Sequence, residues 1–174
     1  MDLPPFTYSH GMAADKSVLE SMRLLGIVYE EMACDPALAD TAQFCEAYGI
    51  PLDKSANTIL VASRRPEGHV VACLVLATTR LDVNGVVRRR MGVRKASFAN
   101  AEQTMEMTGM EIGGVTIFGL PEGVPVWIDP RVLDNDWIVI GAGSRSAKIR
   151  LDPGQLDGLD GFEVVPDLAL EASV

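Results

Sequence analysis

The stretch Ile112–Asp129, IGGVTIFGLPEGVPVWID, sets paired glycines before one short apolar run and a Gly/Pro-rich turn before a second. Both runs, Val115–Phe118 and Val124–Ile128, read as short strands bounded by turn residues. Upstream the period is longer. Val18, Leu19, Met22 and Leu25 follow helical spacing and Gly26 supplies a stop, which predicts a helix over 15–25. Ile27–Ala33 reads as a strand. Asp40 is placed to cap a second helix carrying Phe44, Cys45 and Tyr48, closed by Gly49 and Pro51. Thr58–Ala62 and His69–Thr78 read as strands joined through RRPEG, 82–91 as a short helix, and Lys95–Phe98 as a strand. Asn100 with Gln103 resembles a capping box for a helix ending at Gly109. Trp137–Ile140, Ala147–Leu151 and Phe162–Val165 then follow as strands, with PRVLDN and PGQLDGL as turns or single helical turns. Helices and strands alternate early and strands dominate late, so the expected fold is α+β with a mixed sheet rather than doubly wound.

The 174 residues fit one domain, expected to span 1–174 with residues 1–12 as an N-terminal arm, and suffice for a core without staples. Hydrophobic residues are 48% and charged residues 22%, which excludes a disordered chain. The longest apolar run, Val70–Ala77, is too short to span a bilayer. MDLPPFTYSH lacks the basic start and apolar core of a secretory signal, so the expected location is cytoplasmic, with no membrane partner. Three cysteines without a close pair, and His10 and His69 without ligand spacing, suggest neither a disulfide framework nor a metal site. No cofactor is called for.

The net charge of −9 would repel a polyanion if it were spread evenly. It is not: Arg80, Arg88, Arg89, Arg90, Arg94 and Lys95 place six of the fifteen basic residues within sixteen positions. Such a cluster either solvates a face or meets a phosphate backbone.

Glycine lets the main chain approach another group closely because no Cβ intervenes, so the 113–114 pair serves either a tight turn or a cradle of N–H groups. A nucleophilic triad has no support, since GxSxG is absent and neither histidine has an obvious serine or cysteine partner. Gly141-Ala142-Gly143-Ser144-Arg145 follows a strand, but neither GxGxxG nor GKS/T completes it; a hairpin turn accounts for it equally well.

The order of these features is more specific than any one of them. ILVAS, a second long strand, VVRRRMGVRKASFANAEQTMEMTG, GGVTIFGLPEGVPVWID and WIVIGAGSRSAKIRLDP together resemble the YbaK-like domain, the superfamily of free-standing aminoacyl-tRNA deacylases and the editing insertion of bacterial prolyl-tRNA synthetases. The resemblance covers about residues 27–165. It implies a mixed, partly barrel-like sheet flanked by helices, with a pocket for the aminoacyl group at the tRNA 3′ end. The implied activity is trans-editing: hydrolysis of the ester of a mischarged tRNA, in the service of translation fidelity. The partners implied are aminoacyl-tRNA and, further, an aminoacyl-tRNA synthetase.

By that resemblance Gly113 and Gly114 match the family's glycine loop, and with Val115 and Thr116 would frame the acyl carbonyl. Gly141, Gly143, Ser144 and Arg145 match the second loop and would line the same pocket. Arg88, Arg89, Arg90 and Arg94 would meet acceptor-stem phosphates. Two positions depart from the pattern: Asn57 stands where the family usually carries a lysine, and Ile117 where its glycine loop usually reaches a proline. Asn57 can orient a carbonyl or a ribose hydroxyl but cannot supply a charge. Lys54, just upstream, either reaches in or sits in a solvated loop. A non-catalytic module that binds a tRNA end, an aminoacyl-like metabolite or a protein partner is the alternative reading.

Overall fold

The main sheet is apolar on both faces, because its two longest strands alternate between two apolar sets. The computed structural model describes residues 14–172. The 1–12 arm and His10 lie outside the described residues. Strands β1 (Tyr29–Ala33), β2 (Ala56–Arg65), β3 (Glu67–Leu76), β4 (Thr79–Leu81), β5 (Lys95–Phe98), β6 (Val126–Ile128), β7 (Ile138–Gly141), β8 (Ala147–Leu151), β9 (Phe162–Val164) and β10 (Ala169–Glu171) interleave with helices α1 (Lys16–Leu24), α2 (Thr41–Tyr48), α3 (Arg88–Met91), α4 (Ala101–Thr108) and α5 (Pro130–Leu133). The five-stranded sheet runs β5-β2-β3-β6-β9, antiparallel through β5, β2 and β3 and parallel from β3 through β6 to β9. A second, antiparallel sheet runs β1-β8-β7, and β10 pairs with β4.

On β3, Ala72, Leu74 and Leu76 face the main core with Val126 and Ile128 of β6, while Val71, Cys73 and Val75 face a second core with Trp127. This is the period-2 alternation of a sheet covered on both faces. The three-stranded sheet divides likewise. Ala147, Ile149 and Leu151 join the main core, whereas Val139 packs with Met32 and Phe44 under α2. A single parallel bridge, Ser55 to Val139, links the start of β2 to β7. The fold is therefore the expected mixed α+β arrangement, but its sheets do not close into a barrel.

Several elements form for local reasons. At α4, Asn100 accepts from Gln103 N at 2.8 Å and the Gln103 side chain accepts from Asn100 N at 3.1 Å, the reciprocal capping box. Gly109 ends that helix at φ +69°, left-handed backbone that disfavours a Cβ. Three expectations are corrected. Val115–Phe118 is irregular, not a strand: it pairs with no strand among the described residues, and the Gly114 carbonyl at its start is taken by Gly143 N–H of the other glycine loop. The expected 82–91 helix is a π-helical turn, Val83–Val87, followed by the single turn α3, with the Asp82 carboxylate accepting from Gly85 N and Val86 N. The strand expected over His69–Thr78 ends at Leu76, and Thr79–Leu81 is a separate strand, held by β10. Among the described residues no helix is long and apolar enough to cross a membrane.

Candidate functional site

A cavity of about 330 Å³ opens where β2, the start of α2, the 112–115 loop and the β7–β8 hairpin converge. Asn57, Thr58 and Leu60 of β2, Thr41 and Phe44 of α2, Gly113 and Val115, Gly141, and Lys148 of β8 all line it. Four segments distant in the chain thus meet at one concavity. Of the residues expected at the site, Asn57, Gly113, Val115 and Gly141 come together here.

Asn57 Oδ1 accepts a hydrogen bond from Thr41 Oγ1 at 2.8 Å, and Thr41 is the first residue of α2. With its oxygen engaged, the amide presents donors, and among the described residues no acceptor takes them. Thr58 Oγ1 is buried without a partner among the described residues and belongs to the same lining. A buried polar group without a partner is costly in a closed core and is expected where a ligand or water completes it.

The glycines have structural work of their own. Gly114 N–H donates to Glu111 O at 2.9 Å, and Gly114 O accepts from Gly143 N–H at 2.7 Å. A Cβ on Gly114 would collide with the backbone of Ser144, and one on Gly141 with the carbonyl oxygens of Gly114 and Val115. The paired glycines therefore let two loops touch backbone to backbone. Gly143, at φ +84°, lies against Asp15 and Val18 at the start of α1, and Asp15 N–H donates to Ala142 O at 2.9 Å. Thr116 is fully buried behind the loop. Gly114, Thr116, Gly143, Ser144 and Arg145 form the wall that backs the cavity and are not part of its lining.

Arg145 acts as a clasp. Its guanidinium donates to Pro36 O at 2.8 Å and to Ile112 O at 2.7 Å, and pairs with Asp40 at 3.0 Å. Its backbone N–H donates to Glu111 Oε2 at 2.7 Å. Asp40, the residue before α2, therefore spends its carboxylate on Arg145 and makes no side-chain cap bond.

Lys148 is the charged residue of the cavity lining that sequence reasoning missed. Its side chain is buried; Nζ donates to Gly113 O at 2.6 Å and Ala39 O at 2.8 Å and lies 5.2 Å from the centre of the Phe44 ring. Burial lowers its pKa from the ordinary lysine value, opposed by weaker attraction from Cys34. The buried thiols of Cys34 and Cys45 are pushed up by the same desolvation. Lys54 does not reach in: Nζ pairs with Asp136 at 2.5 Å and sits over Trp137. A lysine on a strand that alternates AKIRL reads as solvent-facing, and only α2 packing over that face buries it.

The arginine turn lies elsewhere. Val87 and Val93, which flank α3, belong to the second core, across the five-stranded sheet from Ala56, Leu60 and Ile140 of the cavity floor. Arg90 pairs with Glu163 and stacks over Trp127, and Arg88 Nε donates to Asn84 O at 2.9 Å. Arg89 and Arg94 are exposed. Among the described residues no group of three histidine, cysteine or acidic side chains is placed to hold a metal ion.

Known proteins share both fold and sequence with this chain. The fold matches the crystal structure of hypothetical protein APE2540 with a TM-score of 0.78 at 20% identity, over 89% of this chain and 100% of that one. It matches a protein proposed to be a trans-editing enzyme for prolyl-tRNA synthetase with a TM-score of 0.75 at 21% identity, over 91% and 96% of the two chains. In sequence it is 32% identical to the uncharacterized protein YwhH of Bacillus subtilis (strain 168) over 118 residues, 68% of this chain and 73% of YwhH. Residues 35–159, which carry α2, both glycine loops, Asn57 and Lys148, match the aminoacyl-tRNA editing domain, and the chain belongs to that family.

Proposed function

We propose that this protein is a trans-editing deacylase that hydrolyses the ester between a wrong amino acid and its tRNA. The observation that carries the reading is the convergence of Asn57, Gly113, Val115 and Gly141 on one cavity of about 330 Å³. That volume lies at the low end for small-ligand sites, suited to an aminoacyl group with part of its ribose rather than a whole nucleotide. The family and the fold neighbour named for trans-editing support the same activity. The reaction requires addition of water to the acyl carbon and stabilisation of the oxygen that becomes negative. Asn57 would orient the carbonyl or ribose hydroxyl, and Gly113 with Val115 would frame the acyl group. Gly141 would close the cavity behind it, while Gly114, Thr116, Gly143, Ser144 and Arg145 would hold that frame. Arg88, Arg89 and Arg94 would attract the polyanion from the opposite face of the five-stranded sheet, and an aminoacyl-tRNA synthetase would be the source of the mischarged substrate.

The test is a panel of mischarged tRNAs assayed for release of free amino acid. Release from at least one, abolished in a variant with the cavity filled at Val115 (Val115→Trp), is the expected result. The second reading, a binding module without hydrolysis, is favoured by one observation: Gly114 has no N–H to offer a substrate because Glu111 O takes it. Retention of aminoacyl-tRNA without release of amino acid would establish that reading instead.

A further inference from the structure

We propose that Lys148 is a catalytic residue of this site, donating from Nζ to the acyl carbonyl oxygen as it becomes an oxyanion. The inference rests on the deacylase reading above and assigns the cation that Asn57 cannot provide.

The geometry is specific. An ammonium has three donors. Two are tied to Gly113 O at 2.6 Å and Ala39 O at 2.8 Å, which anchors the group to the glycine loop on one side and the approach to α2 on the other. The third has no acceptor among the described residues, and Lys148 lines the cavity. No aspartate or glutamate lines it, and Lys148 forms no ion pair among the described residues. Asp40, the carboxylate on the adjoining turn, is occupied by Arg145. Neutral carbonyls take two of the ammonium's three donors and the Phe44 ring lies 5.2 Å from Nζ, but no carboxylate among the described residues pairs with the charge, a costly arrangement for a buried ion that a developing negative charge would relieve. The remaining polar equipment points the same way: the Asn57 amide presents donors and Thr58 Oγ1 lacks a partner. Such a site favours an electron-rich oxygen and disfavours the substrate's own α-ammonium, which would have to face the cavity mouth.

In the reaction, a water oxygen bonds to the acyl carbon and the carbonyl π pair moves onto the carbonyl oxygen, held by Lys148. The pair returns, the bond from carbon to ribose oxygen breaks, and that oxygen takes up a proton from the added water. Free amino acid and a tRNA with an intact terminal hydroxyl result, and Lys148 keeps its proton throughout.

The experiment compares the full chain with Lys148→Met and Lys148→Arg, measuring kcat and KM for a tRNA that the parent deacylates, with melting curves alongside. The expected result is a fall in kcat of about 100- to 1000-fold in Lys148→Met, KM changing far less, as for loss of one oxyanion donor. Lys148→Arg should recover part of kcat. The parent's pH profile gives a readout that needs no variant. The groups around Nζ are the Cys34 and Cys45 thiols, Asp40 and Arg145, with burial the largest influence on its titration. Activity should fall on the alkaline side as Lys148 loses its proton, at a pH below that of an ordinary lysine, and this limb should vanish in Lys148→Arg, which stays charged. A folded Lys148→Met with kcat within about threefold of the parent's, or an alkaline limb that persists in Lys148→Arg, overturns the proposal and leaves the deacylase reading standing. A parent that releases no amino acid from any tRNA overturns both.

Discussion

Gly143 donates its backbone N–H to the carbonyl oxygen of Gly114 at 2.7 Å, so the two glycine loops are a single backbone-to-backbone unit. What the 113–116 segment presents to the cavity is therefore set jointly by the β7–β8 hairpin and by α1, which rests on Ala142 and Gly143.

Gly114→Ala should act on stability. Its methyl would strike the Ser144 backbone, which cannot swing aside as a flexible side chain would. Overpacking of this kind costs about 1–3 kcal/mol. In a chain of this size the melting midpoint should drop by about 2–4 °C per kcal/mol. Thermal unfolding measures it, and an unchanged midpoint would mean that the two loops do not touch at Gly114 and Ser144.

Asn57→Ala removes the acceptor of the Thr41 hydroxyl and the amide donors at the cavity. One hydrogen bond to substrate is worth roughly 1–1.5 kcal/mol, so kcat/KM should fall about tenfold. Thr41→Val in the same background should add little further loss, because the two residues form one unit. A double-mutant cycle on deacylation gives the coupling, and full additivity would separate them.

The arginines should divide by environment. Arg89 and Arg94 are exposed, whereas Arg90 is engaged by Glu163 and Trp127. Substituting Arg89 and Arg94 with Ala should weaken tRNA binding and flatten its salt dependence, by about 0.7–0.9 log units of slope for each phosphate no longer neutralised, with kcat unchanged. Arg90→Ala should alter the slope less. Filter binding across a salt series reads both, and equal slopes in all variants would assign the cluster to solvation alone.

Thiol chemistry should report unfolding. Cys73 is fully buried and its pKa is pushed up to about 12 by desolvation; Cys34 and Cys45 are raised by the same cause. The thiolate is the reactive form, so at pH 8 all three should react with a disulfide reagent only as fast as the chain opens. Stopped-flow release of the chromophore in native buffer and in urea tests this. Rapid labelling of Cys73 in the native protein would contradict its place in the second core.

Local signals were enough for the elements whose causes are local. The Asn100–Gln103 box, the left-handed glycines Gly49 and Gly109, the continuous apolar run of β3 and the alternating one of β8 each state their conformation within a few residues, and the structure has α4, the end of α2 and both strands there. The order of motifs also carried the family. The sequence could not reveal which polar residues become buried, since burial is a property of what packs over them. Val115–Phe118 has the composition of a strand, yet it pairs with none among the described residues, and Thr116, Ile117 and Phe118 are buried in succession. Lys148 sits at a strand position that alternation assigns to solvent, and α2, a hundred residues earlier, covers it, while the turn leading into α2 supplies the Ala39 carbonyl. Periodicity reports which side of an element is apolar. Only the tertiary arrangement decides where a charge loses its water, as it does at Lys148 when α2 packs over the strand.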